Sequence, residues 1–509
     1  MNSPNKNTTD QRKMDRNIFY SSLAILVAVT VPLIVWPSES QRFLNTFKVA
    51  IEDSFGSVYQ LLSIGVLVFV FWIAFSRYGR IVLGTNAYSF STFSWASMLF
   101  CAGVATGILY WGTIEWSYYM DAPPLDAVPR SNRAIELAST YGMFHWGMIG
   151  WAFYCLPAVA IGYVYYVKGV QVLRLSVACS KVLGKHVDTW VGKAIDILFM
   201  VGLLGSTGTS MGLGTPMIAA GVSRVTGLTN DMGLKLAVII VCAVIFSISV
   251  YMGLGKGIKR LSNINTVSAF IFLMVMAVVG PTAFIVKMGL NSVGLMAQEF
   301  IRMLTWTDPL TNSRFVEDWT IFYWAWWVAV GPFMGIFIAK ISGGRSIRQI
   351  ILGTIGFGSL GCIIFYTVLG NYALNLELSG QLPILEMVSN GQPAEAIISI
   401  INTVLPQYDI AVILFCVMSV IFMATSFDST SYTLASCATE QLPADKDPKQ
   451  WQRLFWAFTL LILPLSLMYV GGLESLKIAV LISALPLVVV YIIICVSLYK
   501  NLKSHYDNP

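Results

Sequence analysis

Twelve apolar runs, each long enough to cross a membrane as a helix, make up most of this chain of 509 residues. A helix needs about 20 apolar residues to span the hydrocarbon core, because each residue adds only about 1.5 Å. Hydrophobic residues form 56% of the chain and charged residues 11%, a balance that excludes a water-soluble globular protein. We therefore predict an all-α polytopic membrane protein with 12 transmembrane helices. The runs lie near residues 17–36, 57–76, 92–120, 137–167, 194–223, 236–254, 264–286, 320–339, 349–375, 410–436, 454–472 and 478–499.

Lys and Arg residues concentrate at alternate ends of these spans, and this pattern predicts the orientation of the chain. Residues 1–16 carry four of them, every second loop repeats the enrichment, and residues 376–409 contain none. Because cytoplasmic loops are rich in Lys and Arg, both termini are predicted to lie in the cytoplasm, with the chain in the cell (inner) membrane. The polar N-terminal tail lacks the cleavage site of a signal peptide. The net charge of +6 is spread thinly over the loops, so we expect contact with membrane lipid and no nucleic-acid partner.

The sequence contains no motif that is typical of an enzyme. Its eight cysteines include no CxxC pair, and its three histidines are scattered, without HExxH or a thiol–imidazole spacing. We therefore predict no catalytic residue, no metal centre and no cofactor apart from a coupling ion.

Spans three and eight contain residues that interrupt helices. Span three includes MLFCAGVATGILYWGTIEW, with three glycines, and span eight contains Gly331-Pro332. Glycine costs about 1 kcal/mol relative to alanine inside a helix, and proline removes a backbone donor, so we expect both spans to be broken. Irregular backbone at membrane depth is tolerated where it lines a cavity, although small residues also serve close helix packing. The two spans hold corresponding places in two five-helix halves, spans 3–7 and 8–12, which favours inverted repeats around a mid-membrane binding site.

Aromatic residues form two dense clusters inside uncharged spans. Span eight contains YWAWWVAVGPFMGIF (323–337), and span four contains Trp146, Trp151 and Tyr154, spaced so that they can face one side of a helix. Such rings commonly form interface belts or pack in the core, but both clusters lie well inside their spans. Rings that converge from two helices can form a box for a cation without hydrogens to donate, such as a quaternary ammonium group.

Hydroxyl-rich stretches in two other spans predict where a hard cation could bind. Span ten contains FMATSFDSTSY, in which Thr425 and Ser426 supply hydroxyl oxygens, and span five contains GSTGTSMGLG, with Thr207 and Ser210. Oxygen ligands of this kind suit Na⁺, although hydroxyls in helices more often bond back to their own backbone.

Ionisable residues inside spans are costly and are therefore candidates for function. The deepest acids are Glu115, Asp196 and Asp428, of which the first two lie close enough to span ends to reach water. His145, next to Trp146, could relay protons or make one structural hydrogen bond.

Five strings, FHWGMIGWAFY, TIFYWAWWVAVGPF, AKISGGRSIRQ, GLGKGIKRLSNIN and TSFDS, resemble the betaine/carnitine/choline transporter family. The resemblance covers nearly the whole chain and implies the leucine-transporter-like fold, in which two extra helices precede two inverted five-helix repeats. It also implies a homotrimer and quaternary ammonium substrates held in a tryptophan box between spans four and eight. The box implied here comprises Trp146, Trp151, Tyr154, Trp326 and Trp327, with Tyr118 nearby.

The resemblance also divides the chain into segments. These are a cytoplasmic tail (1–16), two peripheral transmembrane helices (17–90), a first five-helix repeat (91–290), an extracytoplasmic interfacial helix or loop (291–318), a second repeat (319–499) and a short cytoplasmic tail (500–509). The interfacial segment includes SVGLMAQEFIRMLTW, whose apolar face suits either the membrane surface or another subunit.

Departures from the family pattern bear on the substrate. The stretch GVATG in span three lacks the acid typical of choline carriers, which favours a zwitterion that carries its own carboxylate. Met334 matches the carnitine exchangers, so the sequence is closest in pattern to carnitine and betaine transporters.

Other departures bear on the coupling ion. The exchangers place an arginine where this chain has Asn265, so the coupling candidates here are Asn265 and Asp428. The ligands that the resemblance implies for a first Na⁺ site are Val104, Phe422, Thr425 and Ser426, and those for a second are Thr207, Ser210 and Phe333. The second is only partly matched, because Leu203 replaces a hydroxyl residue. Proton-driven members carry similar strings, so the ion stays open.

The sequence thus predicts a secondary active transporter that imports carnitine, or glycine betaine or a relative, with Na⁺. Two alternatives remain: a sodium-independent exchanger of carnitine for a precursor or product, and a proton-coupled carrier of choline or betaine.

Overall fold

In the computed structural model, the secondary-structure elements of the described residues are all helices, joined by loops and turns. The described residues are 13–507 except 86, 103–104, 171, 173, 253–256, 312, 441, 443–446 and 471, with the backbone alone for 252, 257–262, 408 and 473. The helices are α1 Arg16–Val35, α2 Pro37–Phe75, α3 Thr92–Ala102, α4 Thr106–Asp121, α5 Asn132–His145, α6 Met148–Gly162, α7 Leu175–Ala178, α8 Ser180–Leu183, α9 Trp190–Thr226, α10 Met232–Met252, α11 Gly257–Val279, α12 Thr282–Thr305, α13 Phe322–Ile341, α14 Ile347–Phe365, α15 Asn371–Leu378, α16 Ile384–Ser389, α17 Pro393–Asn402, α18 Ile410–Cys437, α19 Gln450–Val470 and α20 Gly472–Asp507. Turns of π-helix at Tyr163–Val167, Val316–Ile321 and Tyr366–Gly370 extend α6, precede α13 and join α14 to α15.

The predicted class of polytopic membrane protein is confirmed. Ten helices of the described chain are long and apolar enough to cross a membrane, and the number reaches 12 if each of two bent pairs forms one span. The pairs are α3 with α4, inclined by 56°, and α11 with α12, inclined by 110°. The amphipathic helix after span seven therefore starts at Thr282, whereas the sequence predicted an interfacial segment from residue 291.

Span three is interrupted, as the sequence predicted, between Ala102 at the end of α3 and Thr106 at the start of α4. Gly103, one of the three glycines on which the prediction rested, lies outside the described residues.

Span four is also interrupted, which the sequence analysis did not predict. Its helix α5 ends at His145 and α6 begins at Met148. Gly147 between them has φ −90° and ψ −143°, and a Cβ there would lie 2.6 Å from the carbonyl oxygen of Met143. A larger residue would collide with the backbone, so glycine permits the break.

Span eight is a continuous helix through Pro332, so the prediction of a broken span eight was wrong. Gly331 serves close packing instead. A Cβ at this position would overlap the hydroxyl of Tyr491 in α20 and would lie 3.0 Å from the carbonyl oxygen of Phe153 in α6. Tyr491 donates a hydrogen bond to that same carbonyl at 3.1 Å. Gly331 thus lets three spans meet at one point.

Helix α13 lies at the centre of the bundle, packed against α6, α9 and α20. Small residues allow these approaches: a Cβ at Gly335 would lie 2.8 Å from Pro157, and one at Gly202 would lie 3.8 Å from Ala329. Close contact of this kind between helix backbones is how membrane helices associate, because apolar side chains gain little by leaving lipid. The packing fixes the rings of α13 relative to α5 and α6.

Candidate functional site

Four aromatic rings from spans four and eight form one buried cluster, here called the aromatic box: Trp146, Tyr154, Trp326 and Trp327. The Trp146 ring is nearly perpendicular to Trp326 and Trp327, with ring centroids 5.3 and 5.2 Å apart. The Trp326 and Trp327 rings lie within 14° of parallel, and Tyr154 meets Trp327 edge-on at 5.6 Å. Rings from two spans are therefore packed against one another inside the bundle.

Glycines in the neighbouring helix segments let these rings pack closely. A Cβ at Gly107 in α4 would lie 3.4 Å from Trp326 and 3.5 Å from Trp146. A Cβ at Gly150 would lie 2.8 Å from the ring of Trp327. Among the described glycines of span three, Gly107 therefore lies next to the box.

The interruption of span four fixes the orientation of Trp327. The last carbonyl groups of a helix have no partner within it. The carbonyl oxygen of His145, the last residue of α5, accepts a hydrogen bond from Trp327 Nε1 at 2.9 Å. The break in α5–α6 therefore supplies the acceptor that this buried indole requires.

Trp151, predicted for the box, and Tyr118, predicted nearby, also have contacts outside it. Trp151 contacts Tyr154 at 5.3 Å, but its ring covers Gly358 of α14, where a Cβ would overlap it. Tyr118 belongs to a second cluster, 5.3 Å from the ring of Trp319, on which the ammonium group of Lys477 lies at 4.0 Å. Trp146 and Trp151 are five residues apart, which is about 140° around a helix, so their rings lie on different sides.

Met334 is buried in α13, seven residues after Trp327 and hence on the same side of the helix.

A buried carboxylate lies directly behind the box. Glu115 of α4 is fully buried and accepts hydrogen bonds from the hydroxyls of Tyr119, Tyr323 and Tyr366, that of Tyr323 at 2.9 Å. The rings of Tyr323 and Tyr366 each lie 6.0 Å from the ring of Trp146. The sequence places Glu115 deep in span three but does not reveal its partners, because two of the tyrosines come from other spans.

His145 links this carboxylate to the box, because its side chain approaches Glu115 while its carbonyl oxygen accepts the hydrogen bond from Trp327. Its Nδ1 lies 3.0 Å from the hydroxyl of Tyr119 and 3.8 Å from Glu115 Oε1, and its Nε2 lies 3.1 Å from the hydroxyl of Thr320. A hydrogen-bonded chain therefore runs from Glu115 through Tyr119 and His145 to Thr320.

The residues predicted for the first Na⁺ site lie together in α18. Thr425 and Ser426 are half-buried, and the Thr425 hydroxyl donates to the carbonyl oxygens of Ile421 and Phe422 at 2.9 and 3.1 Å. The bonds back to the helix leave the lone pairs of Thr425 Oγ1 available to a cation. Val104, the predicted ligand from span three, lies outside the described residues.

The residues predicted for the second Na⁺ site are placed as follows. Thr207 in α9 is buried, whereas Ser210 in α9 and Phe333 in α13 are half-buried. The contact of Gly202 with Ala329 brings α9 and α13 together next to this region. Across the described part of the chain, no three His, Cys, Asp or Glu side chains are grouped as metal ligands.

The two coupling candidates occupy different surroundings. Asn265 is buried and donates from Nδ2 to the carbonyl oxygen of Met418 at 3.0 Å, which links α11 to α18. Asp428 is buried and pairs with Arg453 of α19 at 3.1 Å.

A box of aromatic faces suits a cation that cannot donate hydrogen bonds. Such a box, enclosed by membrane helices that meet through small residues, is typical of a membrane transporter of small organic cations. Comparison with known sequences identifies the class: the sequence model of the betaine/carnitine/choline family transporters matches residues 17–507. The chain belongs to this family, and it is a transporter and not an enzyme.

Two relatives illustrate the similarity. A protein of Escherichia coli (strain K12) named "Uncharacterized transporter YeaV" is 32% identical over 447 residues, which cover 88% of this chain and 92% of that protein. A protein of Acinetobacter baumannii named "Carnitine transporter" is 30% identical over 507 residues, which cover 99% of this chain and 92% of that protein.

Proposed function

We propose that the protein is a cell inner-membrane symporter, with both termini in the cytoplasm, that imports carnitine first and glycine betaine or a relative second, with Na⁺. The observation that carries this proposal is the convergence of Trp146, Tyr154, Trp326 and Trp327 from two spans. The name of the Acinetobacter relative supports carnitine. The absence of an acid from GVATG supports a zwitterion over choline.

The trimethylammonium group would bind among the faces of the box. Cation–π attraction contributes about 1–2 kcal/mol per good contact when water is excluded, and all four rings are buried. The hydrogen bond from Trp327 to His145 would hold one of these rings in place before substrate arrives, so that little conformational entropy is lost on binding.

Sodium would bind at Thr425, Ser426 and the backbone carbonyl of Phe422, next to the interruption of span three. Neutral hydroxyl and carbonyl oxygens are the ligands that a hard monovalent cation prefers. A bound ion would order spans three and ten before substrate closes the site, which couples the two solutes. Because Asn265 is neutral, it cannot replace the coupling cation as the arginine of the exchangers does, so this role falls to a bound ion.

One observation favours proton coupling as a second candidate. The chain of Glu115, Tyr119 and His145 joins a buried acid to a buried imidazole within hydrogen-bonding distance. Such a chain could take up a proton from one side of the membrane.

Uptake of labelled carnitine into liposomes containing the purified protein tests the proposal. Three gradients are compared: inward Na⁺, K⁺ in place of Na⁺, and protons alone. We expect stimulation by Na⁺ that the double variant Thr425→Ala/Ser426→Ala abolishes. A matched control is Thr433→Ala/Ser436→Ala, two turns further along α18, where both hydroxyls also donate to their own helix.

Each other outcome assigns a different mechanism. Uptake that ignores every gradient but accelerates with internal substrate would make the protein an exchanger and would contradict the interpretation of Asn265. Stimulation by protons alone would mean that the hydrogen-bonded residues Glu115, Tyr119 and His145 couple transport, and not the hydroxyls of α18.

A further inference from the structure

We propose that Glu115 selects the positive charge of the substrate, as a fixed negative charge held behind the wall of the aromatic box by Tyr119, Tyr323 and Tyr366. This inference rests on the proposed function, because it concerns how the same box distinguishes a quaternary ammonium group from an uncharged group of equal shape. Glu115 is thus a positioning residue for charge and does not touch the substrate.

The hydrogen-bond pattern at Glu115 matches a carboxylate. Three tyrosine hydroxyls donate to its two oxygens, and an ionised carboxylate offers acceptor positions for all three. The cost of burying a charge is offset in this way by charge-assisted hydrogen bonds.

The remaining groups around Glu115 leave that charge unbalanced. If the Tyr119 hydroxyl donates to Glu115, its oxygen can accept from His145 Nδ1, and the Thr320 hydroxyl can then donate to His145 Nε2. This pattern is complete with a neutral imidazole. Among the described residues, no Lys or Arg nitrogen pairs with Glu115, so an ionised Glu115 beside a neutral His145 would give the cluster a net charge of −1.

The charge lies close enough to act on the box. Tyr323 and Tyr366, which hold the carboxylate, are the rings that meet Trp146, and Tyr323 also lies 6.1 Å from the ring of Trp326. Within this buried layer the effective dielectric constant is far below that of water, so a charge one ring away attracts a cation appreciably. A positive substrate would supply the missing counter-charge, whereas an uncharged isostere would not.

The test compares two ligands of the same shape. Carnitine and its carbon isostere, in which a tert-butyl group replaces the trimethylammonium group, compete for uptake of labelled carnitine, and the ratio of their inhibition constants measures charge selection. We expect Glu115→Gln, which keeps the size of the side chain, to reduce this ratio by about tenfold. Loss of structure alone would weaken both ligands equally and leave the ratio unchanged.

Two further variants keep the test independent of the folding of Glu115→Gln. Glu115→Asp retains the charge and should retain the ratio. His145→Lys should reduce the ratio as Glu115→Gln does, because it puts a cation at the position where His145 Nδ1 now faces Glu115 Oε1 at 3.8 Å, and so neutralises the cluster by another route. Asp196→Asn, which removes a buried acid held by Ser176 far from the box, should leave the ratio unchanged.

The outcomes separate this inference from the proposed function. If the wild-type protein transports carnitine and prefers it to the isostere, and Glu115→Gln keeps the full preference, the role of Glu115 is wrong while the function stands. If the wild-type protein binds neither ligand, the proposed function itself fails.

Discussion

Trp327 is the residue on which the box depends most, because it alone combines contacts to Trp146 and Tyr154 with a hydrogen bond to the end of α5. We expect Trp327→Leu to raise KM for the quaternary ammonium substrate at least about tenfold, since it removes a cation–π face worth about 1–2 kcal/mol and an anchoring hydrogen bond. Initial rates of uptake at several substrate concentrations measure the change.

A neighbouring tryptophan provides the matched control. Trp324 is also fully buried in α13, but its ring contacts the rings of Phe144 and His145 rather than those of Trp326 and Trp327. Trp324→Phe should leave KM within about twofold, because it keeps an aromatic ring and touches no face of the box. Equal effects of the two substitutions would mean that the box does not hold the substrate.

The residues of the site could be predicted from the sequence where one helix carries them together. The tryptophans of α13 and the hydroxyls of α18 are adjacent in the sequence, and their clustering was visible as a pattern. The tyrosines around Glu115 come from three spans, so only Tyr119, four residues further along the same helix, could have been paired with it. Contacts between Tyr323, Tyr366 and Glu115 depend on how spans pack, which a single sequence does not show.

At the scale of helices, glycine predicted irregular backbone correctly in span three and wrongly in span eight. The same residue permits a break at Gly147 and close packing at Gly331, and the surrounding atoms decide between these roles. The sequence signal for the break of span four was present in FHWGMIGW, but a single glycine within a transmembrane run is also compatible with an intact helix. Tertiary contacts, such as that with Tyr491, were needed to distinguish the two.

The packing role of Gly331 leads to a prediction about the junction of α6, α13 and α20. Gly331→Ala places a methyl group on the hydroxyl of Tyr491, and overpacking of this kind costs about 1–3 kcal/mol, so the temperature of thermal unfolding should fall. Tyr491→Phe removes the obstructing oxygen, and the double variant should recover part of the loss. As a control, Gly356→Ala in α14 adds a Cβ with no atom within 4 Å and should not lower the unfolding temperature. Strictly additive effects of the Gly331 and Tyr491 changes would contradict direct contact.

The ion pair between α18 and α19 allows the role of Asp428 to be tested. Asp428→Asn alone leaves Arg453 buried without its partner, which costs about 3–5 kcal/mol, and we expect poor yield of folded protein. The double variant Asp428→Asn/Arg453→Gln removes both charges and should fold more stably. If Asp428 only joins the two helices, this double variant keeps its stimulation by Na⁺ in liposome uptake. Loss of that stimulation with folding intact would assign Asp428 to coupling instead.

At the scale of the whole molecule, α12 provides a surface that one chain leaves uncovered. Its outward side carries Leu290, Val293 and Ile301, with Leu290 71% and Ile301 68% exposed. The ion pair of Arg133 with Glu299, at 3.1 Å, ties α12 to α5 and so to the span that carries Trp146. An apolar face held rigidly against the bundle fits either lipid or a second copy of the chain.

We propose a homotrimer in which α12 contacts the adjacent subunit. A protein of 56.1 kDa per chain should then show about three times that protein mass in light scattering of the detergent-solubilised sample. Ile301→Cys should cross-link between subunits under mild oxidation, whereas Val68→Cys, 62% exposed on α2, should not. The native cysteines are buried or half-buried, so the unmodified protein should give no cross-link. A single-chain mass, with no cross-link at Ile301 or Leu290, would mean that α12 faces lipid and that each chain transports alone.

In a trimer, by contrast, the attachment of α12 to α5 would place a subunit contact one helix away from the aromatic box, so substitutions at Arg133 or Glu299 should alter both assembly and uptake.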